Sequence, residues 1–110
     1  MKRYKLVRII DGEFFSANTI ENPILYKVGE VAGAEDKGIA CYKSLKSVDK
    51  PSHIEETRYS FNGGNPIAIL EVEPRSEPCW DTPAYGKGGV YAGGINYQSV
   101  KVLSVVRIIK

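Results

Sequence analysis

The hydrophobic positions along the chain favour β-strands over long helices. The run at 5–10 is rich in β-branched residues, ends at Asp11 and Gly12, and is followed by a second short apolar run at 13–16. A type I′ turn needs positive φ at both central residues, and Asp-Gly is one of the pairs that adopt it most readily. The pattern therefore predicts a β-hairpin over residues 5–16.

The later β-rich runs are separated by glycine, proline and small polar residues, which are typical of loops. The run at 67–73 begins apolar on both faces and then alternates, as expected for a central strand whose far end emerges into solvent before Pro74. The run at 97–109 exceeds the usual length of about five or six residues, so we expect a bend or bulge within it. Four strands are predicted after the hairpin, with a loop at 32–38: residues 24–28, 39–43, 67–73 and 97–109.

Two short helices are predicted between the strands at 39–43 and 67–73. Ser44 is placed to cap a helix over 45–48, and Ser52 to cap another over 53–59, with Glu55 completing a capping box. Neither is long enough to be stable alone. The predicted fold class is α+β and β-dominated: a strongly curved antiparallel or mixed sheet, or a partial barrel, with one or two short helices.

Length and composition predict one domain over residues 1–110. The chain is 43% hydrophobic and 25% charged, which fits a compact domain and excludes a disordered tail. Its longest apolar runs are far below the roughly 18 residues of a membrane helix, and its start lacks the long apolar stretch of a secretion signal. We therefore expect a cytoplasmic protein with no membrane association.

The two cysteines, Cys41 and Cys79, are 38 positions apart and form no CxxC motif. Two cysteines cannot hold zinc without other ligands, so no metal site is predicted. Two buried thiols are the expected state in a cytoplasmic protein.

The formal charge of +2 conceals basic ends. Residues 1–10 carry four basic side chains and residues 101–110 carry three, with no acid in either stretch, while the middle of the chain is acidic. If the two ends pair as neighbouring strands, their charges combine into one basic stripe. Such a stripe would either bind an anionic partner or protect an edge strand against aggregation. The charge is too small for a dedicated nucleic-acid-binding protein, and no specific nucleic acid is expected.

Signals for catalysis are weak. His53 is the only histidine, and no serine–histidine–aspartate spacing or metalloprotease motif is present. Glu71 and Glu73 share one face of a predicted strand, but a chain of this length has little room for the groove in which paired carboxylates cleave a substrate. No catalytic residue and no cofactor are predicted, and a non-enzymatic protein is favoured.

Residues 75–97 form the most informative segment. They contain the only tryptophan, three of the seven tyrosines and five of the eleven glycines. Aromatic rings can stack on a base, and the backbone N–H groups of a glycine-rich loop can bind phosphate. The candidate ligand-binding residues are Arg75, Trp80, Tyr85, Lys87, Gly88, Gly89, Tyr91, Asn96 and Arg107. The structural alternative is a long ordered loop whose aromatic residues only cover the small core.

The first 46 residues contain an ordered set of short motifs: Val7-Arg8, Asp11-Gly12, Phe14, Ser16-Ala17, Tyr26-Lys27-Val28-Gly29-Glu30 and Tyr42-Lys43-Ser44-Leu45. This set resembles a pattern found in small bacteriophage proteins of unknown function. The chain then departs from the pattern, because Asp49-Lys50-Pro51 cuts short the acidic helix that usually follows. Compact phage proteins of this general kind include anti-defence sponges, such as those of the Thoeris anti-defence type, which sequester cyclic nucleotides or cyclic ADP-ribose signals. The resemblance implies a small-ligand or host-interaction role in the cytoplasm of the host cell, and no binding residue is carried over from it.

Three functions remain as alternatives. The first is a non-enzymatic binding protein, expected to be a homo-oligomer, that sequesters a nucleotide-like signalling molecule through residues 75–97. The second is a module that binds or inhibits a host protein through a basic strand edge containing Lys5 and Arg107. The third is a small enzyme that processes a nucleotide or ADP-ribosyl substrate, with Glu71 or Glu73 as its catalytic acid.

Overall fold

The computed structural model describes residues 1–16, 23–33, 39–61, 63–78 and 94–110. Within these ranges eight strands form one antiparallel sheet, which confirms the β-dominated fold class. The strands are β1 (Arg3–Ile10), β2 (Glu13–Ser16), β3 (Leu25–Tyr26), β4 (Val31–Gly33), β5 (Ile39–Tyr42), β6 (Ile67–Pro74), β7 (Gly94–Tyr97) and β8 (Ser99–Ile109). Their order is β3-β2-β1-β6-β8-β4; β5 pairs with the start of β1, and β7 pairs with β5.

The first hairpin forms as the sequence predicts. Ile10 of β1 pairs with Glu13 of β2, and the two residues between them have positive φ angles, 50° at Asp11 and 81° at Gly12. The turn residues therefore set the register of β1 against β2.

The sheet is strongly curved but open. The strands β3 and β4 lie at opposite ends of the strand order, yet only residues 27–30 separate them along the chain. This turn reaches across to β8: the Gly29 N–H donates to the Val102 carbonyl at 2.8 Å, and the Val102 N–H donates to the Glu30 carbonyl at 3.0 Å. Because β3 and β4 do not pair with each other, the described strands do not close into a barrel.

The centre of the sheet is β6, which is buried on both faces. Ala68, Leu70 and Val72 belong to the larger core cluster, whereas Ile67 and Ile69 face a second cluster on the other side. Successive side chains of a strand point to opposite faces, so a strand covered on both sides needs the uninterrupted apolar run seen in the sequence.

The long C-terminal strand contains the irregularity predicted from its length. Ile69 lies opposite Arg107 but Leu70 lies opposite Val105, so Val106 is an extra residue in β8. A second register shift, between Glu71 and Val72, makes Leu103 another. Each bulge bends β8 and increases its twist, which helps the sheet to curve.

The first predicted helix is confirmed, and the second is shifted. Ser44 caps α1 (Leu45–Val48): its hydroxyl accepts a hydrogen bond from the Ser47 backbone N–H at 3.1 Å, and the Ser47 side chain accepts from the Ser44 N–H. The second helix, α2 (Pro51–Glu55), is followed by a π-helical turn (Glu56–Phe61). Ser52 is therefore not its N-cap, because the helix already begins at a proline, a residue whose fixed φ suits the first helical position.

Tertiary pairing creates strands in places where the sequence predicted none. Ala32 and Gly33, predicted as loop, belong to β4 and pair with Val100 and Ser99 of β8. The expected single run at 97–109 is two strands, because Gln98 separates β7 from β8 and only β8 pairs with β6. The strand expected over 24–28 is only two residues long, since the chain turns after Tyr26 to reach β8.

The two basic ends of the chain are not neighbouring strands. β1 pairs with one edge of β6 and β8 pairs with the other. The condition for one combined basic stripe is therefore not met, because the apolar strand β6 lies between the two basic ones.

Candidate functional site

Most of the predicted ligand-binding residues lie outside the described ranges. These are Trp80, Tyr85, Lys87, Gly88, Gly89 and Tyr91. The structure does describe the residues that flank the segment 79–93 on both sides, including Arg75 and Asn96. What these flanking residues do defines how the segment is anchored.

The two ends of segment 79–93 are joined at their base. Pro78, just before it, forms an isolated antiparallel bridge with Tyr97 of β7. On the side of this bridge away from the segment, the Ser76 hydroxyl accepts hydrogen bonds from the Gln98 N–H at 2.9 Å and the Ser99 N–H at 3.3 Å. The two stretches of chain that flank segment 79–93 therefore lie side by side in the sheet. Segments held by a rigid scaffold often carry binding residues.

Arg75 stabilises this base through a backbone hydrogen bond and forms an ion pair beside it. Its N–H donates to the Ser99 carbonyl at 2.9 Å, and its guanidinium lies 3.3 Å from the Glu73 carboxylate. An open groove of about 580 Å³ is lined by residues 73–77. The groove thus has two carboxylates, of Glu73 and Glu77, and one guanidinium, so its local charge is negative.

Asn96 is buried, and its side-chain oxygen makes no hydrogen bond within the described residues. It pairs with Ala40 in the β5–β7 ladder, and its neighbours Ile95 and Tyr97 pack against the larger core. Alternation along the strand therefore directs Asn96 to the other face. A buried acceptor without a partner costs about 1–3 kcal/mol, so Asn96 is a candidate contact for a ligand group that donates a hydrogen bond.

Arg107 lies apart from the base of the loop. It is opposite Ile69, whereas the loop leaves the sheet after Pro74, five residues further along β6 and roughly 16 Å away at the rise of a strand. Its guanidinium donates to the Asp49 carboxylate at 2.8 Å, at the C-terminal end of α1. The structure thus brings Arg75 and Asn96 to the loop but not Arg107.

Lys5 is not part of a basic edge. It is only 6% exposed, and its amine donates a hydrogen bond to the Ala40 carbonyl at 2.8 Å. The amine also lies 5.8 Å from the centre of the Tyr26 ring, within the range of a cation–π contact. Burial lowers the pKa of Lys5, and the nearby Cys41 offsets part of that shift. Lys5, one of the two residues named for the basic edge, is therefore in the core and not on the surface.

The group formed by Lys5, Tyr26 and Cys41 is a buried polar cluster that the sequence analysis missed. Burial raises the pKa of the Cys41 thiol to about 11 against the opposing effect of Lys5 and Arg3, and burial also raises the pKa of Tyr26. One signal was available: Lys5 alternates in phase with Val7, so both belong to one face of β1. The expectation that Cys41 is buried is confirmed, and Cys79 lies outside the described ranges.

A second, smaller groove lies beside the first hairpin. It has a volume of about 360 Å³ and is lined by residues 12–14 and 26–28. Glu13 and Lys27 contribute opposite charges, and the buried Tyr26 contributes to its wall. Among the described residues that line this groove, the Tyr26 hydroxyl is the one buried polar atom without a hydrogen-bond partner.

The two carboxylates considered as catalytic acids both lie in ion pairs. Glu71 is 3.5 Å from the amine of Lys2, and Glu73 is 3.3 Å from Arg75. Within the described ranges no three histidine, cysteine, aspartate or glutamate side chains come together as a potential metal site. In the same ranges no helix is long and apolar enough to cross a membrane.

The described strands define a small, open antiparallel β-sheet protein in which the residues that flank segment 79–93 lie next to each other. No protein-family model, no curated protein and no solved structure matches the chain. Its own residues are therefore the guide to what it binds.

Proposed function

We propose that this protein binds a nucleotide-like small molecule and holds it without chemical change, using segment 79–93 and the residues that anchor it. The observation that carries the proposal is the bridged base of that segment, together with the buried oxygen of Asn96, which has no partner among the described residues and is close to the segment along the chain. Binding residues are often carried by a segment that a rigid scaffold holds at both ends, because the scaffold limits the entropy lost on binding.

The residue types of the segment suit the parts of a nucleotide. Trp80, Tyr85 and Tyr91 supply flat rings that can stack on a base. Lys87 supplies a positive charge, and the adjacent Gly88 and Gly89 allow backbone N–H groups to approach phosphate closely. Asn96 adds an acceptor for an amino or hydroxyl hydrogen of the ligand.

Electrostatics suggest how such a ligand would be oriented. The groove at residues 73–77 has two carboxylates for one guanidinium, which disfavours phosphate there but suits the hydroxyl groups of a ribose. The phosphate would then lie outside this groove. This orientation makes a ribose-containing ligand a better fit than inorganic phosphate.

Binding without turnover is favoured over catalysis. A carboxyl group that acts as a general acid near neutral pH needs apolar surroundings that keep it protonated. Glu71 and Glu73 instead lie beside cations at partly exposed positions, an arrangement typical of a solvated surface. Sequestration would remove a signalling nucleotide from solution, which fits the small-ligand role that the resemblance of the first 46 residues to small phage proteins implies.

A ligand panel tests the proposal. Cyclic AMP, a cyclic dinucleotide, ADP-ribose and cyclic ADP-ribose are added separately, and the melting temperature and the recovered nucleotide are measured. We expect one of them to raise the melting temperature by about 5 °C at tenfold excess over its Kd, to be recovered unchanged, and to lose its effect in Trp80→Ala. If no ligand shifts the melting temperature, or if a nucleotide is recovered as a product, the proposal is wrong.

Asn96→Leu separates a binding role from a structural one. The substitution replaces a buried amide, whose oxygen has no partner among the described residues, with an apolar group of similar size, so we expect a change in stability within about 1.5 kcal/mol. If the amide oxygen binds the ligand, affinity falls about three- to tenfold despite the unchanged fold. The matched control is Gln98→Leu, the same kind of change at an exposed neighbour. Equal affinity of both variants and the unmodified protein would remove Asn96 from the site.

A further inference from the structure

The strands β5 and β7 form a two-stranded ribbon that joins β1 at one end. The two strands, residues 39–42 and 94–97, pair along their whole length and are here called the ribbon. On its other side β5 pairs with β1 at one position, Tyr4 opposite Tyr42. Because segment 79–93 leads directly into β7, the ribbon carries the second end of the candidate binding segment.

The amine of Lys5 links β1 to the middle of the ribbon. It donates a hydrogen bond to the Ala40 carbonyl at 2.8 Å, and the side chain is 6% exposed. Continuing the register of Tyr4 and Tyr42 would place Leu6 opposite Ala40, but the ladder between the described residues of β1 and β5 does not extend that far. The buried amine thus takes the place of a backbone donor, and releasing it would leave a polar group in the core without an acceptor.

Arg3 makes a second side-chain link, which reaches β7. Its Nε donates to the Tyr97 hydroxyl at 3.0 Å, and its Nη1 donates to the carbonyl of Lys43, one residue after β5, at 3.5 Å. Arg3 and Lys5 are two residues apart in β1, so their side chains project from the same face of the strand. β1 therefore contacts both strands of the ribbon through its basic side chains.

Ala40, the acceptor of the Lys5 amine, is also the partner of Asn96. The two residues lie opposite each other in the ladder of the ribbon. Lys5 approaches from the face of the larger core, in phase with Val7, whereas the Asn96 side chain is directed to the other face. Main-chain hydrogen bonds join paired strands, so a displacement of Ala40 would also shift Asn96 and its buried amide.

We propose that Lys5 is a positioning residue for the binding site: its amine fixes the Ala40 carbonyl and thereby holds Asn96 in place. Arg3 assists by holding β7 through Tyr97. The inference rests on the proposed function, because Asn96 contacts a ligand only if that proposal is right. A binding side chain must be held to within about 0.5 Å, and residues behind it supply this support. The link between Lys5 and the ribbon itself requires no ligand.

Amide hydrogen exchange followed by NMR tests the link without any ligand. Lys5→Met keeps the apolar stem and removes the donor. We expect the amides of residues 95–97 to exchange about tenfold faster, beyond any change shared with the amides of β6. We also expect the Asn96 side-chain amide signals to broaden or split, because the amide no longer has a single position.

Two further variants complete the exchange experiment. Arg3→Met gives an independent measurement, because Arg3 is only partly buried and its removal leaves the core intact; we expect exchange in β7 to rise about threefold. The matched control is Val7→Ala, on the same face of β1 but paired with β2 and β6. It lowers the stability of the whole domain, so exchange should rise equally in β6 and β7.

Titration with the four nucleotides of the ligand panel connects the link to binding. We expect the nucleotide that binds the unmodified protein to bind Lys5→Met about three- to tenfold more weakly, and Val7→Ala with unchanged affinity. The double variant Lys5→Met/Asn96→Leu should bind no more weakly than Asn96→Leu alone, because Lys5 acts through Asn96.

The outcomes separate this inference from the proposed function. Unchanged exchange of β7 in Lys5→Met and Arg3→Met would overturn the inference, and so would faster exchange without weaker binding. If none of the four nucleotides binds the unmodified protein, the proposed function fails. The exchange and the Asn96 signals then decide by themselves whether Lys5 holds Asn96.

Discussion

Lys5→Glu is expected to lower the free energy of unfolding by about 4 kcal/mol or more. The substitution would place a carboxylate in the position of an amine that is 6% exposed, donates to the Ala40 carbonyl and lies over the Tyr26 ring. Carbonyl oxygen and ring face both attract a cation and repel an anion. A buried, uncompensated charge of this kind costs about 4 kcal/mol or more, a large part of the 5–15 kcal/mol that stabilises a typical domain.

Two controls separate this effect from a simple loss of charge. Lys5→Met keeps the apolar stem and removes the amine; we expect it to fold, with a change within about 1.5 kcal/mol, because the lost hydrogen bond is offset by the desolvation no longer required. Lys2→Glu reverses a charge on the exposed neighbour and should cost about 1 kcal/mol at most. Urea denaturation followed by circular dichroism measures all three. A stable Lys5→Glu protein would show that the side chain can reach solvent.

The result also decides how the basic surface can be tested. Charge reversal at Lys5 was a natural probe of a basic strand edge, because the sequence places Lys5 beside other basic residues. In the structure the same substitution disrupts the core, so a loss of partner binding would report unfolding. Lys110 is the appropriate position, since it is exposed at the end of the chain.

The second large effect is a loss of stability at alkaline pH that depends on Cys41. Burial raises the pKa of its thiol from an ordinary 9.0 to about 11. Above pH 9 the unfolded chain releases the proton first, so the unfolded state becomes favoured while the folded protein still holds its proton. The contribution of the protonated thiol to the free energy of unfolding is fully present below pH 9. It is lost between pH 9 and about 11, and the loss amounts to about 3 kcal/mol in total.

Cys41→Val isolates this contribution. Valine is apolar and of similar size, and it suits a β-strand, so the variant should fold. Burial also raises the pKa of Tyr26 and lowers the pKa of Lys5. Both residues remain in the variant, so most of their effect on stability is common to the two proteins and cancels in the comparison. We expect the free energy of unfolding to fall more steeply in the unmodified protein than in the variant when urea denaturation is repeated from pH 8 to pH 10.5. Parallel curves would mean that the thiol reaches solvent in the folded protein.

Local features of the fold were predictable because the residues that cause them are adjacent in sequence. Asp11 and Gly12 adopt positive φ and set the first hairpin, and the hydroxyl of Ser44 caps α1 three residues away. The uninterrupted apolar run of β6 indicated a strand covered on both faces. Each of these signals acts within a few residues and does not require knowledge of the rest of the chain.

The candidate site was predictable in part for the same reason. The composition of residues 75–97 identified a candidate binding segment, and the structure places Arg75 and Asn96 in the strand ends that flank residues 79–93. Arg107 was included on the assumption that the loop lies over the last strand, but its position along β8 depends on a register set by two bulges. Such a register arises from packing between strands distant in sequence, which no local pattern reveals.

The β-dominated class, the first hairpin, the cap of α1 and the central place of β6 follow from the order of the residues, because short-range sterics and alternation of apolar residues act along the chain. The position of β6 between the two basic strands and the burial of Lys5 in the core are visible only in the folded molecule. These depend on which strands meet, a choice made by the whole core. Charge seen in sequence therefore did not translate into charge on one surface.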